Sequence, residues 1–225
     1  MKSTLLALAL PLALPLALQA QEAAPAPAPS TPAAPTAAAA PAPKAAEFKV
    51  LDDGLLEEKW FGRPVPFAKG DDVDFSWFKE GASFAGRTLW FKPWEDPAML
   101  KPGRDGKDNA KATTLTDSIP ATLRGALAGA LAGKAKVSRN EGDVLVLGRV
   151  VDCNAGSRAA KFLVGWGAGS EIVTYDLKFV DAATGELLAA VHHRVISGTS
   201  LSTIEDKMVK WADKFGAFIA ARALK

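Results

Sequence analysis

The sequence predicts an α+β sandwich, in which a mixed β-sheet packs against two helices within a single domain. Three observations lead to this class. Residues 171–180 alternate apolar and polar side chains, which is typical of a half-buried strand. A turn around Gly185 then returns the chain into a second apolar strand, residues 187–196, and so predicts a hairpin. Two further segments repeat apolar residues at helical spacing, one beginning near Asp117 and one near Ser202.

The first 46 residues are predicted to lie outside the folded domain. Residues 1–20 combine Lys2, an uncharged apolar run and a small residue, Ala20, which is typical of a secretory signal peptide cleaved before Gln21. The run is shorter than the roughly 20 apolar residues that span a bilayer. Residues 21–46 are almost entirely Ala and Pro, which predicts a disordered linker, either a spacer or a tolerated leader. We therefore expect a periplasmic protein.

Residues 47–225 have the length of one domain. We divide them into an aromatic-rich wrapping segment, 47–86, and an α+β globular part, 87–225. Positive and negative side chains nearly balance, with a formal net charge of +2, so no nucleic-acid partner is expected. Cys153 is the only cysteine, so no disulfide can form within the chain and a buried free thiol is its expected state.

The first predicted elements of the globular part are an aromatic strand and a helix. Residues 87–93 alternate, and Pro93 ends the strand. Asp117 or Ser118 is positioned to cap a helix that tolerates Pro120 in its first turn. Glycines recur at the same four-residue spacing as the apolar side chains, which predicts close packing of this helix on a neighbour. The apolar stripe is Ile119, Leu123, Leu127 and Leu131, and the glycines are Gly125, Gly129 and Gly133.

The remaining predicted elements are a central strand, the hairpin and a last helix. Residues 143–153 are apolar on both faces, which predicts a central strand. Ser202 and Glu205 have capping-box spacing at the start of the last helix. The apolar face of that helix comprises Ile204, Met208, Trp211, Phe215 and Ile219.

With these elements in place, the chain resembles the bacterial envelope family described as domain of unknown function 4410, over about residues 71–225. The motifs that carry the resemblance are Gly148-Arg149-Val150-Val151, Gly156-Ser157-Arg158-Ala159, Val164-Gly165-Trp166-Gly167-Ala168-Gly169 and Asp181-Ala182-Ala183-Thr184-Gly185. The resemblance implies an envelope protein and brings no catalytic residues, ligand or cofactor. Family members are often lipoproteins, but no lipid-bearing cysteine follows the predicted signal peptide, so no lipid anchor is expected. The order of elements is also similar to envelope modules with an anticodon-binding-domain-like sandwich, which is a likeness of fold alone.

The glycine-rich stretch at residues 165–169 is the most distinctive candidate site. It precedes a strand and lacks the Gly-Lys-Ser/Thr and the following helix of a phosphate loop. It is interpreted either as a tight bend in which Trp166 packs or as a loop that presents Trp166 to a partner. Candidate partner-contact residues are Trp166, Arg158, Lys161, Trp90 and Trp94. Glycines with expected structural roles are Gly156, Gly165, Gly167, Gly169 and Gly185.

No motif points to catalysis or to a metal. His192 and His193 are adjacent in a predicted strand, so their side chains point to opposite faces and cannot share one ion, and His193 is expected in the core. Neither a nucleophile elbow nor a His-Glu-x-x-His motif occurs. Asp181, Glu186 and His192 are the only acid–base candidates that cluster even loosely in the sequence. We expect no catalytic residues, no metal, no cofactor and no enzyme activity.

The sequence therefore predicts a non-catalytic periplasmic module that contacts other envelope proteins, as an accessory component of an assembly or transport system. The alternative hypothesis is a small-ligand or glycan-binding domain, which requires a concave pocket lined by the aromatic residues that crowd positions 60–94. Neither hypothesis specifies an oligomeric state.

Overall fold

A seven-stranded mixed sheet organises the computed structural model, which describes residues 55–157, 169–198 and 202–224. The described strands are β1 (Ala68–Lys69), β2 (Phe75–Phe78), β3 (Thr88–Phe91), β4 (Lys136–Ser138), β5 (Val144–Asn154), β6 (Ile172–Asp181) and β7 (Leu187–Ile196). The described helices are α1 (Gly106–Ala130), α2 (Ile204–Ala223) and a short 3-10 helix, Glu58–Phe61. The predicted α+β class, with a mixed sheet and two helices, is confirmed.

The strands lie in the order β1-β2-β7-β6-β5-β3-β4. The three long strands β5, β6 and β7 are antiparallel neighbours, and β2 extends this arrangement by pairing with β7. β3 lies between β4 and β5 and is parallel to both. Residues 139–143 therefore cross over β3 to connect β4 with β5. The crossing is close, because a Cβ added at Gly142 would lie 2.5 Å from the Thr88 carbonyl oxygen.

Both helices cover one face of the sheet and enclose the main core. Val173, Tyr175, Leu177 and Phe179 of β6 belong to this core, as their alternation predicts. α1 and α2 also pack against each other. They approach closely at Gly216 of α2, where an added Cβ would lie 3.0 Å from the Ala130 Cβ and 3.1 Å from the Ala126 carbonyl oxygen.

The glycines predicted to bring α1 close to a neighbour do not do so. Added Cβ atoms at Gly125 and Gly129 would meet nothing within 4 Å, and Gly133 lies beyond the end of the helix. That prediction is wrong because the glycine stripe does not face the packing partner. The close approach depends instead on Gly216, which is the single glycine of α2 and so belongs to no repeating pattern.

The opposite face of the sheet is covered by the segment before β1. Leu56, Phe61 and Val65 pack against Leu187 and Ala190 in a second, smaller core. This segment therefore lies as a layer across the hairpin of β6 and β7. The sheet is consequently covered on both faces around its centre, by helices on one side and by irregular chain on the other.

The predicted starts of both helices need correction. α1 begins at Gly106 rather than near Asp117, because the Asp105 side chain accepts hydrogen bonds from the Lys107 and Asp108 backbone N–H groups and caps it. Pro120 consequently lies inside the helix. The capping box of α2 is formed by Thr203 and Asp206, one residue later than predicted. Among the described helices, none combines the length and apolar composition needed to cross a membrane.

Candidate functional site

The candidate contact residues fall into two groups. Trp90 and Trp94 are described by the structure, and they lie near the end of β3. The remaining candidates, Trp166, Arg158 and Lys161, lie outside the described residues, as do Gly165 and Gly167.

The described residues on either side of positions 158–168 contact each other. The Ser157 N–H donates to the Gly169 carbonyl at 3.0 Å, and the Gly156 N–H donates to the Asn154 side-chain oxygen at 2.7 Å. An added Cβ at Gly156 would lie 2.4 Å from the Gly169 carbonyl oxygen, so only glycine permits this approach. The candidate structural glycines that the structure describes have positive φ angles: Gly156 68°, Gly169 75° and Gly185 72°.

The same end of the sheet also holds the end of β7 and the start of α2. Ser170 Oγ donates to the Gly198 carbonyl at 2.8 Å, and the Glu171 N–H donates to Ser197 Oγ at 2.9 Å. The Glu171 carboxylate accepts from the Ile204 N–H at 2.8 Å. Ser157 and Gly169, the described residues on either side of positions 158–168, therefore lie near the end of β7 and the start of α2.

A basic groove lies between β7 and α2 near this end. We define it by Arg194, Ile196, Lys207, Lys210 and Lys214, which line a concavity of about 340 Å³. The lysines recur at positions i, i+3 and i+7, and so form one stripe on the helix. Ile196 is 49% exposed, although it is a large apolar residue at a strand end. The groove thus presents positive charge beside an accessible aliphatic side chain.

Trp211 and His193 form the aromatic floor of the basic groove. Their rings stack with centroids 4.3 Å apart, and both side chains are buried. The predicted core position of His193 is therefore confirmed. The Asp74 carboxylate lies 3.1 Å from His193 Nδ1 and accepts from the Arg194 N–H at 2.7 Å. Burial opposes ionisation of Asp74, but these hydrogen bonds outweigh it and lower the pKa of the carboxyl group.

The lysine stripe is the feature that our sequence analysis missed. The sequence does contain a pattern that could have revealed it, because Lys207, Lys210 and Lys214 alternate with the apolar positions of α2. A charge run of this kind is ordinarily a solvated helix face. Only the adjoining strand end, with Ile196 and Arg194, makes it one wall of a groove, and that neighbour comes from tertiary packing.

A buried charge network occupies the outer sheet face, away from the groove. Arg149, Asp176 and His192 are paired across β5, β6 and β7 and are all buried. The Asp176 carboxylate accepts from Arg149 at 3.0 and 3.1 Å and lies 2.7 Å from His192 Nδ1. Glu57 also pairs with Arg149 at 3.1 Å, and the Trp60 ring lies over the guanidinium. Because Arg149, Asp176 and His192 are buried, their charged groups contact one another rather than face a ligand.

The three acid–base candidates from the sequence do not form one site, because His192 lies apart from Asp181 and Glu186, which meet at the hairpin turn where the Asp181 N–H donates to the Glu186 carbonyl oxygen at 2.8 Å. His192 is paired with Asp176, whereas Asp181 binds Arg87 at 2.6 Å and Glu186 binds Lys79 at 2.6 Å. Asp181 lies five residues along β6 from Asp176, which corresponds to roughly 17 Å. Within residues 55–157, 169–198 and 202–224, no cluster of three or more His, Cys, Asp or Glu side chains could hold a metal.

A second concavity, the Trp94 cleft, lies between the end of β3 and α1. It encloses about 250 Å³ and is lined in part by Phe91, Trp94 and Pro120. Trp94 is buried and packs against Tyr175, while its indole nitrogen has no hydrogen-bond partner among the described residues. Cationic side chains also line the cleft: Lys92, Arg124 and Arg139.

Trp90 is not part of the Trp94 cleft but fixes two of its residues. Its indole N–H donates to the Arg139 carbonyl oxygen at 2.8 Å, which ties the crossing segment 139–143 to β3. The Lys92 ammonium group also lies over the Trp90 ring, with its Nζ 4.0 Å from the ring centroid. Trp90 thus positions the cationic rim of the cleft, while Trp94 forms its wall.

Comparison with known proteins supports the resemblance stated from the sequence. The model of the domain of unknown function DUF4410 matches residues 95–199, a shorter range than expected that leaves out β2, β3 and α2. No curated protein matches the chain.

Solved structures offer a distant likeness. The PelC dodecamer from Paraburkholderia phytofirmans is 12% identical, with a TM-score of 0.44, over 65% of this chain and 96% of that chain. A Xanthomonas campestris protein assigned to DUF330 is 13% identical, with a TM-score of 0.43, over 64% of this chain and 89% of that chain. At these scores neither likeness carries an inference about this chain. Residues 95–199, by contrast, match the DUF4410 family model directly, which supports the resemblance over that range.

Proposed function

We propose that this protein is a non-catalytic periplasmic module that binds another envelope protein through the basic groove and through the candidate contact residues of segment 158–168. The observation that carries the proposal is the groove itself, in which three lysines and Arg194 surround the half-exposed Ile196. The envelope location rests on the signal-peptide pattern of residues 1–20.

The chemistry of the groove favours an acidic protein surface as its partner. Among the described residues, the only carboxylate paired with Lys214 is that of Asp72, at 4.0 Å. In the described part of the chain, Lys207 and Lys210 have no ion pair within 4.0 Å. An apolar centre surrounded by charged groups is the usual anatomy of a protein interface. A partner that supplies carboxylates around an aliphatic contact for Ile196 would match this pattern.

Segment 158–168 supports the same surface. It carries the candidate contact residues Trp166, Arg158 and Lys161, and the described residues that flank it, Ser157 and Gly169, lie near the end of β7 and the start of α2. Tryptophan and arginine are enriched among the residues that dominate binding energy. We therefore propose that the segment and the groove contact the same partner. With no nucleic-acid-like charge excess in the chain, a protein is the expected ligand.

Site-specific photo-crosslinking in intact cells tests the proposal. A photoreactive residue at position 196 should capture one acidic envelope protein. The matched control is position 209, because Val209 is 55% exposed on α2 but does not line the groove. The adduct at position 196 should weaken as ionic strength rises, since exposed charges are screened by salt.

A charge reversal makes this experiment decisive. Because Lys210 is exposed, Lys210→Glu should leave folding intact. It should nevertheless reduce the yield of the adduct at position 196 several-fold. Trp166→Ala should reduce it as well. An adduct of equal yield at positions 196 and 209, or one unaffected by Lys210→Glu, would rule out the groove as the binding surface.

A second candidate function, binding of a small ligand or a glycan, is favoured by one specific observation. The alternative requires a concave pocket lined by tryptophan, and the Trp94 cleft meets that requirement with one buried indole ring. Its volume of about 250 Å³ lies just below the range of roughly 300–1,000 Å³ typical of ligand pockets. A site of this size suits one sugar or amino-acid unit rather than a long ligand.

A further inference from the structure

The lining of the Trp94 cleft holds more cations than carboxylates, namely Lys92, Arg124 and Arg139 against Asp117. Arg124 extends from α1 and Arg139 from the segment that crosses β3. Neither forms an ion pair among the described residues. Burial of the guanidinium and the neighbouring charge of Arg139 both lower the pKa of Arg124, so the two cations are close enough to repel each other.

Such an arrangement is unfavourable until an anion enters it. Two like charges held at one cleft raise each other's energy, and partial burial of Arg124 reduces the screening of this repulsion by water. The planar fork of a guanidinium matches a carboxylate with two parallel hydrogen bonds. With three cations and one carboxylate in its lining, the cleft carries a net positive charge.

We propose that the Trp94 cleft binds a small hydroxylated carboxylic acid, whose carboxylate lies between Arg124 and Arg139 and whose ring or carbon skeleton lies against Trp94. This proposal rests on the second candidate function and gives it a ligand class. The cleft's lining includes the apolar surfaces of Phe91 and Pro120, which suit a carbon skeleton rather than a bare inorganic anion.

The exposed carboxylate of Asp117 is the reason that we assign hydroxyl groups to the ligand. Asp117 lines the same cleft and would repel a second acidic group. A hydroxyl group, by contrast, can donate a hydrogen bond to it. Lys92, held over the Trp90 ring, adds a third cation at the rim. The combination favours a sugar acid, with one charge and several hydroxyls, over a dicarboxylic acid or a fatty acid.

Isothermal titration calorimetry of the folded protein with three probes tests this assignment. Glucuronate carries both the ring and the carboxylate, glucose carries the ring alone, and inorganic phosphate carries charge alone. Glucuronate should bind at least about tenfold more tightly than either of the others, because only it satisfies both arginines and the apolar wall. Its binding should also shift the indole N–H resonance of Trp94 in nitrogen-15 spectra.

Variants of the two arginines separate this site from the rest of the molecule. Arg139→Gln removes an exposed charge and should weaken glucuronate binding at least about tenfold without changing the melting temperature. Arg124→Gln should act in the same way, and Arg139→Lys should restore only part of the affinity because it lacks the fork. The control is Lys207→Gln, which removes a cation from the basic groove and should leave glucuronate binding unchanged.

Each outcome bears on a separate claim. Equal affinity for glucuronate and phosphate, or glucuronate binding that survives Arg139→Gln, would overturn the proposal. Glucose binding as tightly as glucuronate would refute the anion assignment while leaving the ligand-binding function in place. No binding of any probe would refute both. Partner cross-linking at position 196 is independent of these results, since the groove and the cleft share no lining residue.

Discussion

Gly148 and Trp94 share one small space in the core, and their contact explains why a glycine occurs in the middle of β5. An added Cβ at Gly148 would lie 2.3 Å from Trp94 Cε2. Glycine in a strand interior is ordinarily unfavourable. Here it allows the indole ring to lie flat against the strand, and so it also shapes the wall of the Trp94 cleft.

Gly148→Ala should therefore destabilise the fold. Overpacking of a filled core costs roughly 1–3 kcal/mol, which a urea unfolding curve resolves as a lower midpoint. Gly125→Ala is the matched control, because its added methyl group meets nothing and alanine favours a helix by about 0.5–1 kcal/mol over glycine. If both variants had the same midpoint as the wild type, the packing explanation for Gly148 would be wrong.

Among the elements, the turn that joins β6 to β7 depends on one carboxylate. Asp181 accepts hydrogen bonds from the Ala183 and Thr184 N–H groups at 3.0 and 2.9 Å, and it pairs with Arg87 at 2.6 Å. The Thr184 N–H and the Arg87 guanidinium lower its pKa from 3.8 to about 2. The folded state therefore binds the ionised form of Asp181 more strongly than the unfolded state does.

This shift predicts a specific pH dependence for Asp181→Asn. Because the folded pKa is depressed, the stabilisation is complete above about pH 4 and is lost as the pH falls through about 2. The urea midpoint of Asp181→Asn should lie below that of the wild type at pH 6, and the difference should vanish near pH 2. Glu186→Gln, which removes an exposed ion pair with Lys79, should have little effect at either pH. A constant difference across this pH range would contradict the role assigned to the carboxylate.

The elements also illustrate what a sequence can predict. The hairpin of β6 and β7 follows from alternation alone, because its apolar residues meet one continuous core. The start of α1 does not, since the first half of the helix is polar and only Ala112 and Leu115 of that half enter the main core. Asp176 alternates as a solvent-facing residue would, yet it is buried because chain distant in sequence covers it.

The two candidate sites could likewise be predicted only in part from the sequence. The sequence singled out Trp90 and Trp94 as aromatic residues near a strand, and the structure adds Arg124 and Arg139 only through the packing of α1 and the crossing segment. The basic groove likewise needs the end of β7 beside α2. Periodicity describes one element at a time, so it cannot report which two elements will form opposite walls of a cavity.

At the scale of the whole molecule, Cys153 reports on global unfolding. The thiol is buried in β5, and burial raises its pKa to about 12. Iodoacetamide at mildly alkaline pH should therefore label native protein very slowly and urea-unfolded protein rapidly. Val209→Cys, at an exposed helix position, is the positive control and should label at once. Rapid labelling of Cys153 in the native protein would show that this end of the sheet opens locally.

The pairing of β2 with β7 has a consequence for the timing of folding. β2 comes from the start of the described chain and β7 from near its end, and the Phe84 N–H also donates to the Ala223 carbonyl oxygen at the close of α2. Contacts between such distant segments form late, because a long loop must close before they are made. A chain still emerging from the ribosome cannot complete this sheet until β7 and the end of α2 have been made. Closure of the whole sheet therefore has to follow synthesis of nearly all of the described chain.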